Sequence, residues 1–215
     1  MSEISTNARN AESVAMANGN TTDGPTPVTP EEALELRVSI QSREELNAFE
    51  RENILEARVW ALSRRTLRRN DLLAEDFMRD LHRRMFGRVW RWAGRFRTSE
   101  RNMGRPVHAL ATDVRTLLDD ASYWREHGTY PAVEATVRFH HRLVAIHPWV
   151  NGNGRHARLM ADILVCAQDG KPFSWGRSAD LVAPNDVRAR YLAALREADA
   201  GDYGALLRFA VGADL

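Results

Sequence analysis

From Pro30 onward apolar residues recur at three- and four-residue steps, the period of an amphipathic helix. Residues 1–28 show no such recurrence. They are rich in Asn, Ser, Thr, Ala, Gly and Pro and have no large aromatic, so they cannot bury enough surface to offset their ordering entropy. We read 1–28 as a flexible tail and 29–215 as one domain. Ser42 followed three positions later by Glu45 has the form of a capping box. It opens a helix from about residue 43 into the arginines at 64–65, with Leu46, Phe49, Asn53, Leu55 and Trp60 followed by Leu62. A second helix spans about 74–86, with Phe77, Met78, Leu81, Met85 and Phe86 on its apolar side and Gly87 as terminator. Residues 87–108 break the rhythm: Trp90, Trp92, Gly94, Phe96, Met103, Gly104 and Val107 alternate with arginines, which predicts a short hairpin or extended flap. Helical spacing returns over 110–126, ending at Gly128, and over 132–146, where Pro148 forbids continuation. After a loop at 147–153 come helices at about 155–168, 185–198 and 203–211. The predicted fold is all-α with one small β element.

Composition narrows the class. Of 215 residues, 44% are hydrophobic and 27% charged, and no apolar run approaches the roughly 18 residues that span a bilayer. The start of the chain carries Glu3 and polar residues without a basic-then-apolar pattern, so no secretory signal is expected and the cytoplasm is the default location. Cys166 is the only cysteine, which excludes an internal disulfide and a thiolate zinc site. Thirty basic against 29 acidic side chains leave +1, which gives no field to attract nucleic acid, although Lys171 is the only lysine and the arginines cluster at 64–69 and 83–97.

The chemistry concentrates in the loop His147-Pro148-Trp149-Val150-Asn151-Gly152-Asn153-Gly154-Arg155-His156-Ala157-Arg158. Two glycines allow close backbone approach, and the following helix aims unsatisfied N–H groups at the loop, which suits an anion, most simply a phosphate. Arg155 and Arg158 fall on one helix face, where two guanidinium forks can hold successive phosphates. A histidine at the loop's entry supplies a general base for a hydroxyl. On spacing alone the same segment also reads as a Gly-Asn-Gly turn after a helix end.

The stretch resembles the signature of the Fic/Doc family, His-x-Phe-x-(Asp/Glu)-Gly-Asn-Gly-Arg-x-x-Arg, with His147, Gly152, Asn153, Gly154, Arg155 and Arg158 in register. Trp92-Ala93-Gly94 with Arg97 is similar to the entry of that family's flap hairpin. Tyr191-Leu192-Ala193-Ala194-Leu195 with Gly201-Asp202-Tyr203 is similar to its C-terminal helices. The wording around Asn53-Ile54-Leu55-Glu56-Ala57 looks like the bacterial subgroup called mobile mystery protein B. The resemblance implies transfer of AMP from ATP to a hydroxyl of a target protein. In that reading His147 is the base, Asn153 and the Gly152 and Gly154 amides cradle phosphates, Arg155 holds the β-phosphate and Arg158 the terminal one.

Two positions depart from the signature. Trp149 replaces Phe and needs a partner for its indole N–H; Asn151 replaces the acidic ligand for Mg²⁺, so any role of Asn151 toward metal is a weak one. The family's inhibitory pattern, (Ser/Thr)-x-x-x-Glu-(Gly/Asn), is met at Glu52 and Asn53 but has Ala48 at the hydroxyl position. It implies an inhibitory helix at about 43–63 in which Glu52 pairs with Arg158. The flap at 95–107, with Arg97 and Met103, is the expected dock for the target. Family members often work with an antitoxin. The alternatives are a nucleotide-binding module without turnover, a Doc-like transfer of the γ-phosphate, and an arginine-rich nucleic-acid binder. A metal site among His140, His141, His147 and His156 is disfavoured, because no acidic residue stands at ligand spacing to them.

Overall fold

The computed structural model describes residues 29–39, 42–177, 181 and 185–212; the expected tail at 1–28 lies outside them. Thr29 and Glu32 form a reciprocal capping box with Pro30 in the first turn, which starts the short helix α1 (Pro30–Ala33). Ser42 accepts the Glu45 amide at 3.1 Å and opens α2 (Arg43–Ala61). There follow α3 (Arg64–Leu67), α4 (Glu75–Phe86), α5 (Leu110–His127), α6 (Ala132–Ile146), α7 (Asn153–Cys166), α8 (Asp186–Asp199) and α9 (Gly204–Val211). Gly128 ends α5 with φ +59°, a left-handed cap that glycine adopts without steric cost. No helix among the described residues is long and apolar enough to cross a membrane.

The all-α expectation holds, and the helices divide between two apolar cores. The larger joins α2, α4, α5, the inner faces of α6 and α7, and the tryptophans at 90, 92 and 149. The smaller joins α8 and α9 to the backs of α6 and α7 through Val137, Ala161, Phe173, Trp175, Leu206 and Phe209. The pair α6–α7 therefore lies at the centre, and the loop between them opens where the two cores meet. Asp162, 1% exposed, joins the halves: it pairs with Arg58 of α2 at 2.6 Å and accepts from the Trp175 indole and the Phe173 amide.

The expected hairpin does not form. Among the described residues the one β-bridge is Leu36 with Trp90, and Leu36 lies outside the 87–108 stretch. The two arms of that stretch bond instead to the backbone after α6: the Arg97 amide donates to Pro148 and the Arg105 amide to Ile146. Arg97 also fills the space between the arms, donating from Nε to the His147 carbonyl at 2.8 Å and from Nη1 to Ser99 at 2.9 Å, with Nη2 on the Arg105 carbonyl. One buried guanidinium thus saturates the carbonyls that a strand ladder would otherwise serve.

Candidate functional site

α6 ends at His147, whose φ of +56° and ψ of +55° are left-handed and place its ring at the start of the 147–152 loop. Few non-glycine residues sit there without strain of about 1 kcal/mol. The geometry is held from several sides. Trp149 is fully buried, stacks on His82 at 4.2 Å and donates its indole N–H to His156 Nδ1 at 3.2 Å. His156 in turn meets the Met78 carbonyl at 3.0 Å. That is the partner the indole required. His82 accepts the Gly94 amide on Nδ1 and, from Nε2, donates to the Asn151 carbonyl at 3.1 Å.

α7 begins directly at Asn153, two residues earlier than its sequence pattern suggests. The Asn153 side chain closes the loop on itself, accepting the Trp149 amide and donating to the Trp149 carbonyl, both at 2.9 Å. Its amide group is therefore a loop brace, whereas the resemblance gave it to phosphate. Gly152 is the N-cap with φ +79°, and a Cβ there would lie 2.4 Å from Phe86 Cζ. Gly152→Ala is expected to lower stability by about 2–4 kcal/mol from overpacking plus backbone strain. Gly128→Ala, with positive φ but open space around it, should lose only the strain of about 1 kcal/mol. Thermal melts of the two variants measure the difference, and equal losses would refute the contact.

No side chain caps the first turn of α7. Its N–H groups open onto a cleft of about 460 Å³, lined by Gly152, Asn153, Gly154, Arg155, Arg158 and His147, together with Met103 and Tyr191. The residues singled out around the signature thus share one cavity, with Arg97 buried beneath it and Met103, 39% exposed, at its rim. Gly104 packs against His147: a Cβ at 104 would lie 2.6 Å from the His147 Cβ.

Glu52 does not reach this site. It is exposed on α2, and the inward carboxylate is Glu50, 6% exposed, two residues earlier and on nearly the opposite face of the helix. Glu50 pairs with Arg155 at 2.6 Å through one oxygen and accepts the Trp90 indole N–H at 2.7 Å on the other. Arg158 meets the hydroxyl of Tyr191, not Glu52. Residues to which the sequence reading gave no role at the site therefore shape it: Glu50, Trp90, His82, His156 and Tyr191.

Asn151, the expected weak metal ligand, has its side-chain oxygen turned to two donors, the Gly152 amide at 2.6 Å and the Arg155 guanidinium at 3.1 Å. An oxygen already facing a cation does not fit a divalent ion. Among the described residues no cluster of three His, Cys, Asp or Glu is placed to hold one.

Burial, reinforced by Arg97 and Arg101, lowers the His147 pKa to about 4. Burial lowers His156 to about 4, and burial with Arg158 lowers His140 to about 3. These rings are neutral at pH 7. In the unfolded chain they take up protons near pH 6.5, so the stability they contribute is complete above that pH and is lost as pH falls towards 4. Each contributes a slope of about 1.4 kcal/mol per pH unit in that window. Melting temperatures should be flat from pH 8 to 7 and fall steeply from 6.5 to 4; a flat profile down to pH 5 would contradict the buried neutral rings.

A model of the Fic/DOC family matches residues 72–165. Over 144 residues the chain is 29% identical to protein adenylyltransferase fic-1 of Caenorhabditis elegans, covering 65% of this chain and 27% of that protein. It is 30% identical over 143 residues to protein adenylyltransferase Fic of Drosophila melanogaster, with the same two coverages. The chain thus spans about a quarter of the length of these relatives. Among solved structures, C. elegans Fic-1 superposes with a TM-score of 0.60 at 23% identity, covering 98% of this chain and 60% of that one. The Bartonella tribocorum BepC protein with bound AMPPNP gives 0.56 at 15% identity, covering 80% and 87%.

Proposed function

Because residues 72–165 are a Fic/DOC family domain, we propose that this chain transfers the AMP part of ATP to a hydroxyl side chain of a target protein. The observation that carries the reading is the convergence of His147, the uncapped start of α7, Arg155 and Arg158 on one cleft. The activity named for its relatives and the AMPPNP in BepC support the same chemistry.

In this reading the triphosphate lies along the first turn of α7, where amide N–H groups and the helix dipole favour negative charge. The unprotonated His147 takes the proton of the attacking hydroxyl as its oxygen bonds to the α-phosphorus. The bond from that phosphorus to the bridging oxygen breaks, and pyrophosphate leaves with its charge held by Arg155 and Arg158. The Asn151 oxygen, already on two donors, does not fit a divalent cation, so the charge of the phosphates falls to Arg155, Arg158 and the α7 amides. The target enters past the 98–106 loop, where Met103 forms the rim and Arg97 supports the loop from below without touching the target. A cytoplasmic bacterial setting and an antitoxin partner belong to the same proposal.

The resting site is held off by Glu50, not Glu52, since Glu50 occupies the fork that a β-phosphate needs. Parallel incubations of a lysate with ATP labelled at the α- or the γ-phosphate test the function. Label transferred from the α position alone supports AMP transfer. Label from the γ position alone identifies the phosphotransferase alternative, and label from neither overturns the transferase reading.

A further inference from the structure

Arg158 lines the cleft with no carboxylate acting on its guanidinium among the described residues, and its pKa is lowered by burial, opposed by Tyr191. What meets it is the hydroxyl of Tyr191, on α8, 4% exposed, with the Arg158 guanidinium carbon 5.4 Å from the tyrosine ring centre. The same hydroxyl lies 3.0 Å from Nε2 of His140, on α6, which is wholly buried and 4.5 Å from the Trp175 ring. The direction of these bonds follows from their chemistry. A guanidinium has donors and no lone pair, so the tyrosine oxygen must accept from Arg158. In the tautomer of His140 that leaves Nε2 bare, the tyrosine's own proton goes to that nitrogen. Burial keeps that ring neutral, which makes the acceptor available.

We propose that Tyr191 is a positioning residue whose hydroxyl, oriented by His140, fixes the Arg158 fork to face the outer phosphates of the nucleotide. The role rests on the function proposed above. It also gives the smaller core a part in the site: α8 and α9 pack on the backs of α6 and α7 and carry the group that aims an arginine of the loop helix. Fixing the fork beforehand spares the ordering of a flexible side chain on binding. The contact touches only the group that meets the phosphates beyond the first, so its loss should be felt by ATP and not by AMP.

Calorimetric titration of ATP and of AMP into wild type, Tyr191→Phe, Arg158→Ala and the double variant tests this. Phenylalanine keeps the ring and its packing. Tyr191→Phe is expected to weaken ATP about tenfold, the value of one hydrogen bond to a charged group, with AMP unchanged. In the Arg158→Ala background the same change should have no further effect. His140→Gln, which retains an acceptor, should lose less than His140→Leu. Unchanged ATP affinity in Tyr191→Phe, equal losses for ATP and AMP, or an undiminished loss in the Arg158→Ala background would each overturn the role while leaving the proposed function standing. Failure of the wild type to bind either nucleotide would overturn both.

Discussion

Glu50→Gln is expected to raise labelling of protein by ATP about tenfold, because it removes the charge that holds Arg155 while preserving the shape of the contact. Glutamine has nearly the volume of glutamate and can still accept the Trp90 indole N–H, so the buried wall survives. What disappears is the charge-assisted bond at 2.6 Å, and a difference of about 1.4 kcal/mol in the competition for the fork is tenfold in occupancy. The substitution has a structural cost as well. Arg155 keeps the Asn151 oxygen at 3.1 Å and the face of Phe86 at 4.8 Å, yet loses its one ion-pair partner among the described residues. Breaking a fully buried pair from one side costs 3–5 kcal/mol, and with Arg155 21% exposed the loss should be smaller, about 2 kcal/mol. Rising activity together with falling stability is the signature of a latch. If labelling falls together with the melting temperature, Glu50 is a structural partner of Arg155 and nothing more. Glu52→Gln, on the exposed face, should change neither.

The second large effect is at His147. Removing a general base lowers the rate about 10²–10⁴-fold. The backbone there is left-handed, so the informative variant is His147→Asn, since asparagine tolerates that conformation better than other side chains. His147→Asn should melt close to wild type and transfer no measurable label, while nucleotide binding persists. The pH profile gives a second readout. With a pKa of about 4 the imidazole is in its base form throughout the neutral range, so transfer should not decline between pH 8 and 6 on its account. A decline of wild-type transfer centred near pH 6.5 would show a solvated, ordinary histidine and contradict the buried geometry.

The parts of this structure legible in the sequence are those set by local physics. Gly128, Pro148 and the Ser42 cap mark helix ends because they act on their own backbone. His147, Gly152, Arg155 and Arg158 could be placed in one cavity because a turn followed by a helix fixes their relation at short range. The failures involve long-range partners. Phe49 and Leu55 suggested one face for α2, but they are 39% and 63% exposed; the buried stripe runs Leu46, Glu50, Asn53, Ala57. A polar residue within an i, i+4, i+7 stripe was the signal that Glu50, not Glu52, faces inward. The motif match drew attention to Glu52, the carboxylate on the exposed face. The alternating residues after Gly87 suggested a hairpin, yet their backbone partners lie at 146 and 148, more than forty residues beyond 97 and 105 in each case, and the arginine that replaces the ladder, Arg97, reads in sequence as one of a cluster of arginines. Asn153 matches the signature perfectly and is nevertheless engaged by its own loop.

The central claim is that the bend between α6 and α7 receives a polyphosphate with the His147 ring beside its first phosphorus. A crystal structure with a non-hydrolysable ATP analogue at saturating concentration tests it most directly. The account predicts the phosphates along the first turn of α7, Arg155 turned from Glu50 onto the second of them, Arg158 on the third, and the imidazole within hydrogen-bond reach of the path to the α-phosphorus. An analogue bound elsewhere, or a bend left empty with the Arg155–Glu50 pair intact, would contradict it.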